Sequence, residues 1–118
     1  MSEASEDRPV YMVVLAELEN RKPMAAYAEA MAQHRLYEKN DGYYTAFGRP
    51  LEVFEGEWGD HQPMVMARFP SLEHARRFWH SEDYQQRVKP LRADAGRFRV
   101  AVFEELAPPE RIDWTGRD

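Results

Sequence analysis

The chain has 118 residues, a formal net charge of −5, an isoelectric point near 5.4 and no cysteine. That length makes one domain with one modest core, and the acidic balance argues against a general nucleic-acid binder, which needs a basic face to neutralise phosphates. A chain without cysteine has no disulfide, thiolate nucleophile, iron–sulfur cluster or cysteine zinc site.

Met1–Asp7 is acidic and lacks the apolar core of a signal peptide. Residues 1–8 are expected to be a frayed tail. Val10–Leu18 is rich in β-branched and apolar residues and reads as a first strand. Asn20-Arg21-Lys22-Pro23 breaks it, and Pro23 suits a helix start, where its missing N–H costs nothing. Met24–Glu38 reads as one helix with Tyr27 and Met31 along one side, stopped by Asn40-Asp41-Gly42. Tyr43–Glu55 reads as a long second strand, interrupted at Gly48-Arg49-Pro50 by a bulge or an edge. After a polar connection, Met64–Phe69 is a third strand. Ser71 caps a helix that buries Leu72, Ala75, Phe78 and Trp79. Ser81 caps a further helical segment with Tyr84, Val88 and Leu91 inward, and Pro90 sits near its end. Phe98–Glu105 is a fourth strand. Residues 9–106 form the domain, and 107–118 read as an irregular tail in which Ile112 and Trp114 could dock onto the body or a partner.

Strand, helix, strand, strand, helix, strand is the order of the α+β, ferredoxin-like βαββαβ fold. It implies a four-stranded antiparallel sheet with helices on one face. These strands are apolar on both faces. Tyr11, Val13 and Leu15 oppose Val10, Met12 and Val14; Met64 and Met66 oppose Val65 and Ala67; Ala101 and Phe103 oppose Val100 and Val102. Helices cover one face only, so the other is expected to pack on a second copy in a symmetric homodimer. The alternative is that the tails fold over it.

Several residues together carry a resemblance: Glu55-Gly56-Glu57-Trp58, Phe69-Pro70-Ser71-Leu72 with Ala75, Ser81 with Tyr84, Pro90-Leu91-Arg92, and Tyr27. Over Val10–Leu106 the chain resembles domain-of-unknown-function family 1330, within the dimeric α+β barrel proteins. The family often has Gly-Gly where Asp41-Gly42 and Gly48-Arg49 stand here, an Arg where Phe47 stands, and an aromatic where Ala30 stands. The resemblance implies a ferredoxin-like dimer with no assigned reaction. Similar barrels include cofactor-free monooxygenases, lactone isomerases, haem-degrading enzymes and stress-response proteins, so fold alone does not choose.

The residues themselves offer several candidate groups. Glu55, at a strand end beside Trp58, could be a general base, or could cap a turn or pair with an Arg. Tyr84 is a second candidate catalytic group. Arg68 is a lone charge in an apolar strand and needs a partner: a substrate carboxylate, or else Glu52, Glu55 or an acid of a dimer mate. Arg92 has the same two readings. Tyr44, with Tyr43, Tyr84 and Trp79, lines a pocket or fills the core, and Trp58 stacks on a ligand or covers the sheet end. His34 and Glu38, four apart, could act together on one helix face. His74 and His80 are badly spaced for a metal, and His61 lies in a polar loop, so neither a metal nor a cofactor is expected. The expectation is a cytoplasmic homodimer, without nucleic-acid or membrane partners, that takes a small-molecule ligand. It would be a cofactor-independent enzyme of isomerase or monooxygenase type on a small organic acid or aromatic metabolite. The alternative is a non-catalytic dimeric ligand-binding or stress-associated module.

Overall fold

Four runs of β-branched and aromatic residues pair side by side in the computed structural model, which describes residues 8–107. They are β1 (Val10–Leu18), β2 (Tyr43–Gly48), β3 (Met64–Phe69) and β4 (Gly96–Glu104). Their spatial order is β2-β3-β1-β4, and all neighbours are antiparallel, which is the ferredoxin-like arrangement. The first and third strands have the bounds expected from sequence. Expectations for the N-terminal tail, and for Ile112 and Trp114, lie outside the described residues.

The register decides what each face carries. Met12 is opposite Ala67 on one side and Val102 on the other, and Val13 is opposite Met66 and Ala101. Because side chains alternate along a strand, Val10, Met12, Ala16, Ala67 and Phe69 point into one buried layer. That layer is closed by α1 (Lys22–His34), α2 (Leu36–Lys39), α3 (Leu72–His80), a π-helical segment (Asp83–Val88) and a 3₁₀ turn (Lys89–Arg92). These contribute Met31, Leu36, Ala75, Phe78, Tyr84 and Val88 to the core. Tyr11, Val13, Leu15, Met64, Met66, Ala101 and Phe103 point to the opposite, open face, where Phe103 is 57% exposed.

The chain departs from its sequence pattern in four places. The first helix is not continuous to Glu38. Arg35 takes a left-handed φ of 51°, a step that costs a non-glycine residue about 1–2 kcal/mol but turns Leu36 into the core at 2% exposure. His34 and Glu38 therefore sit on different helices; His34 lies 4.0 Å from Asp83, and Glu38 pairs with Arg35. The stop at residues 40–42 also works differently. Asp41 adopts the left-handed conformation (φ 61°), while Gly42 is small because a Cβ there would meet the Phe69 ring at 2.5 Å.

The second strand ends at Gly48, whose φ is 111°, and not at Glu55. It is an edge strand, and its bulge lies between Tyr44 and Ala46 rather than at residues 48–50. Residues 49–63 instead form an irregular arm. Its far end is tied to β1 by Leu18 N–H to His61 O (2.8 Å) and Ala16 N–H to Pro63 O (3.2 Å). None of the described hydrogen bonds or ion pairs involves residues 50–57, and Leu51 and Phe54 are 104% and 91% exposed. Lastly, Leu91 faces solvent, and its neighbour Arg92 is the residue that turns inward.

Candidate active site

Ser71 and Ser81 set the helices that build the site. The Ser71 hydroxyl accepts from His74 N–H (3.3 Å), and the Ser81 hydroxyl accepts from Tyr84 N–H (3.1 Å). Each satisfies a donor that a helix start leaves free. After Ser81 the chain widens into the π-helical segment, a geometry that recurs at functional sites. It aims Tyr84 into the layer between helices and sheet, where Tyr84 is 2% exposed.

There the Tyr84 and Tyr27 hydroxyls lie 2.9 Å apart in a shared hydrogen bond. Arg92 Nη2 donates to the Tyr84 hydroxyl at 3.3 Å. The guanidinium lies 4.0 Å from the Phe98 ring centroid and 5.7 Å from that of Tyr27. Arg92 is only 7% exposed, yet no carboxylate pairs with it among the described residues. A buried cation ordinarily has such a partner. Here the Tyr84 hydroxyl and the faces of Tyr27 and Phe98 stand in for it.

The phenols extend as a chain of rings. Tyr84 packs on Phe78 (4.8 Å), Phe78 stacks on Tyr37 (4.9 Å), and Tyr37 meets Tyr44 (4.7 Å). Burial raises the Tyr27 and Tyr37 phenols far above their ordinary range, and neighbouring phenols add to the effect; Arg92 opposes it only in part at Tyr27. Both groups stay protonated at any physiological pH. They can donate hydrogen bonds but cannot serve as phenolate bases.

The donor count is informative. Two phenols carry two O–H groups, and their mutual bond uses one. The other O–H is not used in that bond, and of this cluster it is Arg92 that reaches a cavity wall with N–H groups to offer an acceptor. A cavity of about 380 Å³ opens beside Arg92 and Phe98, with Gln85 and Lys89 on its wall. This lies within the usual size range of small-ligand sites.

The structure brings Tyr84 and Arg92 together and leaves the other sequence candidates elsewhere. Tyr44 is 47% exposed at the far end of the ring chain. Arg68 lies on the open face, where its Nε donates to Glu105 Oε1 (2.9 Å). The Tyr11 hydroxyl donates to the same oxygen (2.8 Å), and the Tyr43 hydroxyl accepts from Arg68 (3.4 Å). Its partner is thus Glu105, not Glu52 or Glu55, and that hydrogen bond raises the Arg68 pKa further above its usual value. Glu55 stands exposed on the arm. Trp58 donates to Gln62 O and borders a separate opening of about 740 Å³ with Glu17, Glu57, Arg97 and Arg99. Among the described residues, no three His, Asp or Glu side chains gather as a metal site, and no helix is long and apolar enough to cross a membrane. Sequence reasoning did not find Tyr27 as the partner of Tyr84, nor Lys89 and Gln85 beside Arg92. The available signal was the run from Tyr84 to Arg92, which carries a phenol, two amides and three cations on one capped segment.

Residues 9–106 match the family described as Domain of unknown function (DUF1330). The chain belongs to this family. No curated protein matches it by sequence. Among solved structures it is similar to a protein of unknown function from Rhodopseudomonas palustris, with 19% identity, TM-score 0.68, and coverage of 86% of this chain and 85% of that one. It is also similar to a dimeric ferredoxin-like protein of unknown function from Thermobifida fusca, with 13% identity, TM-score 0.61, and coverage of 88% and 97%. A third is SnoaB, a cofactor-independent oxygenase from Streptomyces nogalater, with 14% identity, TM-score 0.56, and coverage of 85% and 95%. At these identities the likeness carries the fold alone. The fold of this DUF1330 chain is therefore ferredoxin-like, and its chemistry rests on its own residues.

Proposed function

We propose that this DUF1330 chain is a homodimeric, cofactor-independent enzyme of isomerase or oxygenase type acting on a small organic acid or aromatic metabolite. We place it in the cytoplasm, a setting that suits a chain without cysteine. The observation that carries the reading is the buried guanidinium of Arg92, bonded to the Tyr84 hydroxyl of a phenol pair and, among the described residues, without a carboxylate. A fixed cation and a proton donor in a dry layer stabilise negative charge as it develops on a substrate oxygen. Such charge develops when a carbon next to a carbonyl passes its proton to a base, here solvent water or hydroxide entering the cavity with the substrate, the step that opens both isomerisation and oxygenation of activated substrates. Tyr84 is the proposed donor to that oxygen, and Arg92 holds the anion. Glu55, Arg68, Tyr44 and Trp58 act at most from outside this cluster.

In this proposal two copies pair through the open sheet face. That face carries Val13, Leu15, Met64, Met66 and Phe103, and Leu51 and Phe54 stand exposed on the arm. The T. fusca neighbour is a dimer of the same fold. A second reading, a ligand-binding module without catalysis, is favoured by one fact: among the described residues no carboxylate joins the phenol pair to take up a proton.

A thermal-shift screen of small carboxylic acids and aromatic metabolites tests the site. A ligand present at ten times its Kd should stabilise the fold by about 1.4 kcal/mol. The shift should vanish in Arg92→Met and persist in Arg68→Ala, whose side chain serves the other face. A broad library with no stabilising compound sinks the reading. A ligand that binds without being turned over selects the module.

A further inference from the structure

The cavity beside Arg92 has a chemical bias of its own. Its wall presents two cations, Arg92 and Lys89, together with the amide of Gln85 one helical turn before Lys89 and the ring of Phe98. No carboxylate pairs with Lys89 or Arg92 among the described residues, and Lys89 Nζ instead lies 5.1 Å from the Trp79 ring. This is unusual in a chain whose net charge is −5. Acids are plentiful: Asp83 alone engages Lys39 at 3.6 Å and Arg87 at 2.6 Å. The neighbouring surface cations are thus paired while the two that border this cavity are not.

The depths differ as well. Arg92 sits at the inner end, 7% exposed and joined to Tyr84, whereas Lys89 is half-buried on the wall. Gln85 is held by its own bond, Nε2 to Trp79 O at 2.7 Å, which leaves its carbonyl oxygen for other use. A planar guanidinium fork matches the two oxygens of a carboxylate, and an ammonium adds a point charge near the entrance.

From this the geometry points to a small monocarboxylate as the ligand of the proposed site. Its carboxylate would be bound between Arg92 and Lys89, and its body would lie against Phe98. This rests on the reading of Tyr84 and Arg92 above and adds the charge of the ligand and the role of Lys89. The bound carboxylate supplies the counter-charge that the fold withholds from Arg92. Lys89 draws the anion in and makes its affinity sensitive to salt.

Isothermal titration of the full chain with benzoate, acetate, benzamide and inorganic phosphate tests this. Benzoate should bind measurably and benzamide, which has the same shape without the charge, at least tenfold more weakly. Lys89→Gln should weaken benzoate about fivefold, as expected for a half-exposed cation, with an unchanged melting temperature. Raising the salt from 50 to 300 mM should weaken binding to wild type more than to Lys89→Gln. Equal affinity for benzoate and benzamide overturns the inference, as does binding of phosphate alone or a Lys89→Gln variant that binds like wild type. If benzamide binds and Tyr84→Phe loses it, the charge assignment falls while the site of the proposed function stands. If no probe of either kind binds, both fall.

Discussion

Arg92 is where opposing effects nearly balance. Burying an ion costs several kcal/mol even after relaxation. Against this, stacking on desolvated aromatic faces returns about 2 kcal/mol, and a hydrogen bond from a charged donor about 1.5–3 kcal/mol. Replacing it with Met should therefore change unfolding free energy by less than about 2 kcal/mol, well short of the 3–5 kcal/mol lost when a paired buried charge is orphaned. Urea denaturation of Arg92→Met measures this, and a larger loss marks Arg92 as a structural pillar instead of a ligand group. The buried phenols give a second test. Tyr27 and Tyr37 have pKa values raised above their ordinary 10.0 by burial, so the folded chain keeps protons that the unfolded chain releases. Their contribution is complete below pH 10 and is lost as pH rises beyond it, by up to about 1.4 kcal/mol per pH unit for each phenol. Denaturation midpoints at pH 8, 10 and 11 should fall only over the last interval, and Tyr27→Phe should blunt the fall. At this scale the sequence was a poor guide. Leu91 and Arg92 are adjacent, and hydrophobicity places Leu91 inside. The 3₁₀ turn reverses that, and no pattern of residue types announces a 3₁₀ turn after a π-helical segment.

The elements were easier to read. Strands β1 and β3 follow from unbroken apolar runs, and Ser71 is legible as a cap because its hydroxyl and the following acidic residue both suit a helix start. Ser71→Ala should cost about 1 kcal/mol, measurable as a lower melting temperature with an unchanged oligomeric state. Glycines were legible as breaks but not by cause. Gly96 (φ 155°) lies where the start of β4 meets the end of β1, and a Cβ there would sit 2.0 Å from Glu17 O. Gly48 (φ 111°) faces open space. Gly96→Ala should therefore cost about 3 kcal/mol and Gly48→Ala only about 1–2 kcal/mol. Equal losses in chemical denaturation would show that backbone conformation, not the close approach, sets the requirement. The long second strand failed for a related reason. Leu51, Val53 and Phe54 look like strand residues, but β2 is an edge strand and nothing in the described chain pairs with them beyond Gly48.

At the scale of the molecule, both faces of the sheet were visible in the alternation of apolar residues, and the open face is the outcome. Its centre is Val13, flanked by Met66 and Ala101 in register. Val13→Asp should leave a folded monomer, because that side chain contributes nothing to the helix-covered core. Light scattering beside circular dichroism separates this from unfolding, and a wild-type chain that is monomeric at micromolar concentration sinks the pairing. What the sequence could not give was the convergence of Tyr27, Tyr84 and Arg92. They meet only because α1 and the segment after Ser81 lie side by side, and contacts distant in sequence have no local signature.

The arm has a consequence for turnover of the protein. Residues 50–57 offer Leu51 and Phe54 side chains and a backbone held by no described bond, which is what a protease needs for cleavage. In a solitary subunit that stretch is open to cutting. If the proposed pairing buries those two side chains, worth about 1.5–3 kcal/mol each, the same stretch is shielded. The rate of nicking would then fall as concentration rises, so orphan subunits would be trimmed while pairs persist.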